Sequence, residues 1–122
     1  MITITVPGRP VPFDRMTGRG KWVRRAAERY LAYKNNVGWA AKAAGVFHPI
    51  KGPVEVEAVA YMASAPGREP DIDNLAKSWL DGLNGIVWVD DTQVRRLVVE
   101  KVRVKTKEEE RAEITVREIH AG

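Results

Sequence analysis

The chain has 122 residues, 44% hydrophobic and 30% charged, with 20 Lys and Arg against 16 Asp and Glu for a net charge of +4. That length and balance fit one domain over residues 1–122 with a single core, and exclude overall disorder. The absence of cysteine excludes disulfides and thiolate metal sites and fits a reducing compartment. No apolar run reaches the length of a membrane span, and strand-like residues from Ile2 leave no room for a signal peptide. A cytoplasmic location without membrane contact is the expectation.

In chain order, Ile2, Ile4 and Val6 alternate with Thr3 and Thr5, which predicts a short half-buried strand ending at Pro7-Gly8. Residues 7–21 carry three prolines and three glycines and read as a loop, long enough to suggest a functional role. Val23, Ala27, Tyr30, Leu31, Val37, Ala41 and Ala44 recur at helical spacing, predicting a helix over 23–44 stopped by Gly45. Val54, Val56, Ala58 and Ala60 alternate with Glu55, Glu57, Val59 and Tyr61, a strand over 54–62 with one core face. After a turn-rich break at 64–70, a helix is expected over 72–84, closed by Gly85. At about 100° per residue, Leu75, Ala76, Trp79, Leu80 and Leu83 share one sector and Asp73, Asn74, Lys77, Ser78 and Asp81 the opposite one. Residues 86–89 read as a short extended piece and 94–105 as a strand with Lys101, Arg103 and Lys105 on one face. Residues 106–111 then read as a hairpin connection, and 112–119 as the last strand. The order β-α-β-α-β-β predicts an α+β domain: a mixed sheet of about four strands packed with two main helices.

Charge is unevenly spread. Between Asp14 and Arg29 lie Arg15, Arg19, Lys21, Arg24, Arg25 and Arg29 against only Asp14 and Glu28. The acids gather around 69–91 and at Glu108-Glu109-Glu110. A basic segment apart from a carboxylate cluster suits phosphodiester chemistry on nucleic acid, one part holding phosphates and the other a metal. It equally suits a helix with a wet cationic face. Trp22, Trp39 and Trp88 are expected in the core or an interface, with Trp22 the one placed among basic residues.

The densest chemistry is Asp71-Ile72-Asp73-Asn74-Leu75-Ala76-Lys77, followed by Asp90-Asp91. Two unit charges about 4 Å apart interact by roughly 4 kcal/mol at an effective dielectric of 20, so gathered carboxylates repel unless a cation joins them. Mg²⁺ favours one or two carboxylates plus water and substrate phosphates. Asp73, Lys77 and Asp81 share one helix face at successive steps of four. Ordinary structure accounts for each piece as well: Asp71 or Asp73 as a helix N-cap, Lys77 as an ion-pair partner of Asp73 and Asp81, Asp90-Asp91 as turn formers. No Gly-rich phosphate loop is present, His48 and His120 lack ligand spacing, and no thiol or elbow serine offers a nucleophile.

Read together, Asp71-Ile72-Asp73-Asn74-Leu75-Ala76-Lys77, Leu80-Asp81-Gly82-Leu83-Asn84-Gly85 and Asp90-Asp91-Thr92-Gln93-Val94 resemble the RusA family of Holliday-junction resolvases. That family's pattern is D-x-D-N-x-x-K, a D-[AG]-L-N-G-like helix end, and D-D-x-Q-V. Pro7-Gly8-Arg9-Pro10-Val11-Pro12 resembles the family's proline-rich segment after the first strand. The resemblance implies a homodimeric, Mg²⁺-dependent endonuclease, with Mn²⁺ as a substitute ion, that nicks opposed strands of four-way DNA junctions in a bacterial host or its prophage. It maps the acidic metal ligands onto Asp71, Asp73 and Asp91 and the functional lysine onto Lys77, with Asp90, Asn74 and Asp81 in support. Where the family can carry an arginine run before D-x-D, this chain keeps only Arg68. Arg15, Arg19, Lys21, Arg24 and Arg25, with Lys101 and Arg103, are then the expected DNA contacts. A non-catalytic branched-DNA-binding module and a metal nuclease acting on flaps or other branches remain open alternatives.

Overall fold

The computed structural model describes residues 1–14, 21–63 and 68–120, and for 21–23 the backbone alone. Its elements are β1 (Ile2–Pro7), α1 (Lys21–Ala43), β2 (Val54–Met62), α2 (Ile72–Leu83), β3 (Val94–Arg103) and β4 (Arg111–Glu118), with short 3-10 turns at Asp91–Gln93 and Lys107–Glu109. Every helix and main strand predicted from periodicity is present. The expected extended piece at 86–89 is instead a turn, in which Trp88 bridges to Ile50 and Asn84.

The strands form one mixed sheet in the order β1-β4-β2-β3. β2 runs parallel to β3 and antiparallel to β4, and β4 runs antiparallel to β1. The hairpin expected between the last two strands does not exist, because β2 lies between them. α2 carries the chain back to the start of β2, so β3 must run parallel to it. Residues 104–110 then cross the end of β2, where the Val104 N–H donates to the Met62 carbonyl at 3.0 Å. Crossing one strand covers two strand spacings, roughly 10 Å, which a segment of this length spans easily. Its polar composition reads as a turn whichever strand it feeds.

Both helices cover one face of the sheet. Ile4, Val6, Val56, Ala58, Ala60, Ile114 and Val116 from the strands pack with Val37, Ala41, Leu75, Trp79 and Leu83 from the helices in one core. The buried stripe of α2 holds Leu75, Ala76, Trp79 and Leu83 as its periodicity predicted, but it also takes in Ser78, expected on the polar sector, while Leu80 is only half-buried. α1 ends at Gly45, whose φ of +93° suits a residue without Cβ. There Gly45 N–H donates to Lys42 O and Val46 N–H to Ala41 O, satisfying carbonyls the helix leaves unpaired. The opposite face of the sheet carries charged pairs: Arg96 with Glu55 and Glu57, and Arg117 with the same two acids. Hydrogen bonding from Arg96 and the charge of Arg117 hold the Glu57 carboxyl below its ordinary range.

The helices meet closely. The Trp79 indole N–H donates to the Tyr33 hydroxyl at 2.9 Å, and the Tyr30 hydroxyl donates to Asp81. Lys34 lies 3.4 Å from the same carboxylate. Asp81 therefore ties α2 to α1, and its cation is Lys34 rather than Lys77. The β2-α2-β3 unit also sets the polarity of the site: the start of α2 meets the end of β3, while the end of α2 meets the start of β3.

Candidate active site

Asp71 occupies the N-cap position of α2 with extended backbone, yet its side chain makes no capping hydrogen bond. Its carbonyl accepts from Leu75 N–H at 3.1 Å, so the backbone starts the helix while the carboxylate stays available. Asp73 Oδ1 accepts from Asn74 N–H at 3.0 Å. Both aspartates are exposed.

The ground under this motif is built from two directions. From β3, Lys101 Nζ donates to the Pro70 carbonyl at 3.2 Å, and Arg103 pairs with Glu69 at 2.7 Å, which holds the Glu69 carboxyl below its usual range. From the N-terminal strap, Phe13 N–H donates to the Asn74 carbonyl at 2.9 Å. The Phe13 ring stacks edge-on against Tyr30, centroids 5.3 Å apart, and Lys77 Nζ lies over that ring at 5.9 Å. Arg9 anchors the strap through Glu110 at 2.6 Å, whose carboxylate also accepts from Ala63 N–H. Phe13, Glu69 and Arg9 escaped the sequence reading. Only the proline spacing of 7–12 hinted that the strap is shaped, and nothing local tells which helix it crosses.

The pair Asp90-Asp91 divides its labour. Asp90 caps the 3-10 turn: its carboxylate accepts from Thr92 N–H at 3.1 Å and from Thr92 Oγ1 at 2.6 Å, and these bonds keep it below the usual carboxyl range. Gln93 closes the capping box on Asp90 N–H and clamps Ile50 O and Gly52 O at 2.7 and 2.8 Å. Asp91 turns the other way and accepts from the indole N–H of fully buried Trp88 at 2.8 Å. Asp90 thus has a structural occupation, and Asp91 is the member held by a rigid donor.

The structure does not bring Asp91 to Asp71 and Asp73 within one protomer. Trp88 O accepts from Gly85 N–H at 2.8 Å, placing Asp91 at the C-terminal end of α2, whereas Asp71 caps the N-terminal end. A helix of 12 residues rises roughly 18 Å. Along β3, Val94 beside Asp91 and Lys101 at Pro70 are separated by roughly 23 Å. Two ligands of one Mg²⁺ must each come within about 2.0–2.1 Å of it. Accordingly, among the described residues no three His, Cys, Asp or Glu side chains are grouped to hold a metal. Asp71 and Asp73 alone fit a hard divalent ion that takes two carboxylates and fills its other positions with water and phosphate.

Residues 7–117 match the family model for endodeoxyribonuclease RusA. The chain belongs to the RusA endodeoxyribonuclease family. It is also 30% identical over 142 residues to the uncharacterized protein YqaN of Bacillus subtilis (strain 168), with 98% of each chain covered. Membership implies a hydrolase acting on DNA, and RusA-family nucleases are metal-dependent. Among the described residues no helix is long and apolar enough to cross a membrane.

Of the cations expected to meet DNA, Arg15 and Arg19 and the side chain of Lys21 lie outside the described residues. The Trp22 side chain does as well. Arg24 and Arg25 are exposed on α1, and Arg68 is exposed beside the D-x-D motif. Lys101 and Arg103 are engaged with Pro70 and Glu69, as described above. One cation missing from the expected set is Arg29. With Arg25, Glu28 and Ala32 it lines one groove. With Arg9, Pro12, Phe13 and Pro70 it lines a second of about 390 Å³ that opens beside Asp71. Trp79 and Trp88 are core residues, while Trp39 is 69% exposed.

Proposed function

We propose that this chain is a divalent-cation-dependent endodeoxyribonuclease that hydrolyses phosphodiesters of branched DNA, four-way junctions foremost, and works as a pair of identical copies. The observation that carries the reading is the Asp71 carboxylate, placed where a cap belongs and left out of capping, two residues from exposed Asp73. Mg²⁺, with Mn²⁺ as a substitute, is the ion these hard oxygen donors suit. When bound, it would polarise the scissile phosphate and lower the pKa of an attacking water.

The protein's own groups supply the rest. Lys77, one turn from Asp73 and set above Phe13, would face charge developing on the phosphate. The N-terminal N–H groups of α2 favour the same anion. Arg9, Arg25 and Arg29 would follow the DNA backbone along the two grooves, giving an affinity that falls with salt and carries little sequence information. Asp91 joins a metal site only if a second copy presents it, since its own protomer holds it a helix length away. Two equivalent sites related by a two-fold axis suit a substrate with two equivalent strands to cut. DNA as substrate places the action in the cytoplasm.

Asp71→Asn and Asp91→Asn should each abolish Mg²⁺-dependent cleavage of a synthetic four-way junction while retaining binding. Mixing the two inactive variants is the stronger test. A mixed pair carries one site with both substitutions and one with neither, so nicking should return to about a quarter of the wild-type level. No recovery after exchange of subunits would mean that Asp91 acts within its own chain or not at all. Comparing junction, flap and linear duplex substrates separates junction resolution from general branch cleavage, and a chain that binds all three but cuts none is a binding module.

A further inference from the structure

Among the described residues Trp39 is the most exposed large apolar side chain of α1, and the fold makes no use of it. At about 100° per residue it lies roughly 160° around the helix from the stripe of Tyr33, Val37 and Ala41 that α1 buries. Its surface neighbours Asn35, Asn36 and Lys42 are polar and exposed. The Lys42 ammonium stands over the indole ring, 5.0 Å from its centroid, a cation–π contact that sets a positive charge against a flat aromatic surface. Trp39 is also the shared wall of two grooves. One, of about 320 Å³, has Lys34, Asn35, Lys42, Asp81 and Asn84 in its lining. The other, of about 400 Å³, has Thr5, Pro7, Asn36 and Ala40.

The same face of α1 carries the cations already placed on DNA. Arg25, Arg29, Ala32, Asn36 and Trp39 fall within about 80° of one another around the helix, and all five are exposed. A ligand that follows the groove of Arg25 and Arg29 along α1 therefore reaches Trp39. From Arg29 to Trp39 the helix rises roughly 15 Å, which is roughly four nucleotides at the 3.4 Å per-strand rise of stacked DNA.

We propose that this outer stripe of α1 binds a single-stranded segment of DNA, with Arg25 and Arg29 on its phosphates and a base stacked on Trp39. The assignment rests on the branched-DNA reading above and deepens it: the segment is the strand left unpaired at the branch. Arg25, Arg29, Lys34 and Lys42 outnumber Glu28 and Asp81 in these grooves. Asp81 is already met by Lys34 at 3.4 Å and by the Tyr30 hydroxyl, which leaves Lys42 as the charge beside the ring. A cationic groove for the backbone with an aromatic side chain for the bases is the general device of single-strand binding, and it tolerates any sequence because every base has a π face. A duplex keeps its bases stacked on one another and would offer Trp39 only base edges and backbone. A protein partner would need about 800 Å² of complementary surface on each side, whereas Asn35, Asn36 and Lys42 leave the indole an isolated apolar spot.

Oligothymidylate, which does not pair with itself, is the probe, added to the full chain without divalent cation so that nothing is cut. The wild type should bind it with quenching of tryptophan fluorescence. Trp39→Ala should bind about 5- to 150-fold more weakly, with an unchanged slope of log affinity against log salt, because no phosphate contact is lost. Trp39→Phe keeps a stacking face and should recover most of the affinity. Arg29→Gln should weaken binding and flatten the salt slope by about 0.7. Equal affinity of Trp39→Ala and wild type, both folded by circular dichroism, overturns the assignment, as does a wild type that ignores the oligonucleotide. A smaller mass for Trp39→Ala in light scattering overturns it too, by showing that a second copy covers the ring. The nuclease reading is judged apart: a wild type that binds oligothymidylate through Trp39 and cuts no branched DNA keeps this site and loses that reading. Junction cleavage alongside oligonucleotide binding that ignores Trp39 does the reverse.

Discussion

Gly82 of α2 meets α1 where a methyl group has no room. A Cβ at this position would lie 2.9 Å from both Cβ and Cγ1 of Val37 and 3.4 Å from the Lys34 carbonyl oxygen. Ordinary carbon–carbon contacts are about 3.5–4.0 Å, so the helices must part locally by roughly 0.6–1 Å. Overpacking of that kind costs about 1–3 kcal/mol, while alanine gains about 1 kcal/mol over glycine in a helix interior. Gly82→Ala should therefore destabilise the protein by up to about 2 kcal/mol, contrary to propensity alone. Val37→Ala removes the obstructing atoms at its own cavity cost. In that background Gly82→Ala should stabilise by about 1 kcal/mol, giving a coupling energy of about 1–3 kcal/mol in a double-mutant cycle. Urea unfolding of the four proteins measures every corner. A stabilising Gly82→Ala in the wild-type background, or a coupling below about 0.5 kcal/mol, would refute the close-contact reasoning.

Burial raises the Tyr33 phenol from 10.0 to about 12, and burial followed by the Asp81 hydrogen bond raises Tyr30 as well. A phenol with a higher pKa when folded leaves stability whole below pH 10 and drains it as pH climbs toward the folded value. The unfolding free energy from urea titrations should thus fall from about pH 10 upward, by about 2–3 kcal/mol for Tyr33 alone. Tyr33→Phe, although less stable at neutral pH because Trp79 loses its acceptor, should show a shallower alkaline decline; an unchanged slope removes Tyr33 as its source. For Asp90, the capping geometry predicts that Asp90→Ser retains cleavage and that Asp90→Ala loosens the 3-10 turn. Loss of cleavage in Asp90→Ser, measured at saturating Mg²⁺, would assign Asp90 more than a cap.

The fold was largely legible because its elements are amphipathic with clear periods. Leu75, Trp79 and Leu83 define α2, and the alternation of Val54, Val56, Ala58 and Ala60 defines β2. What could not be read was the pairing order. Strand periodicity reports which face is buried, not which neighbour lies beside each edge, so β3 and β4 looked like a hairpin. The site was legible in its residue types and not in its assembly. Asp71, Asp73 and Lys77 share a helix end as their spacing predicts; Asp71 takes the N-cap position of α2 without a side-chain cap, whereas Asp90 caps the separate 3-10 turn. Lys101 and Arg103 show the limit of reading charge as DNA contact. A cation near a carboxylate motif can also brace the chain that carries it, and only the fold tells which carbonyl it meets.

Asp91 poses the deeper lesson about sequence proximity. It stands 18 positions after Asp73, close enough to suggest one cluster, but a full helix intervenes and carries the chain away from the first motif. The following strand returns to Pro70 only after Asp91 has been left behind. Within one copy the two halves of the motif are therefore held apart by the same regular structure that makes each half rigid. Charge explains why this arrangement is useful. Three unpaired carboxylates at one end of a monomer would repel at a cost of a few kcal/mol per close pair, whereas splitting them spares the isolated chain that repulsion. If the third carboxylate comes from a second copy, association and cation binding become linked equilibria, each strengthening the other by the same factor. Divalent cation should then tighten the dimer, and an isolated copy should be a poor nuclease. That is a sensible property for the proposed activity, in which a single, unpaired nick would leave a four-way junction unresolved.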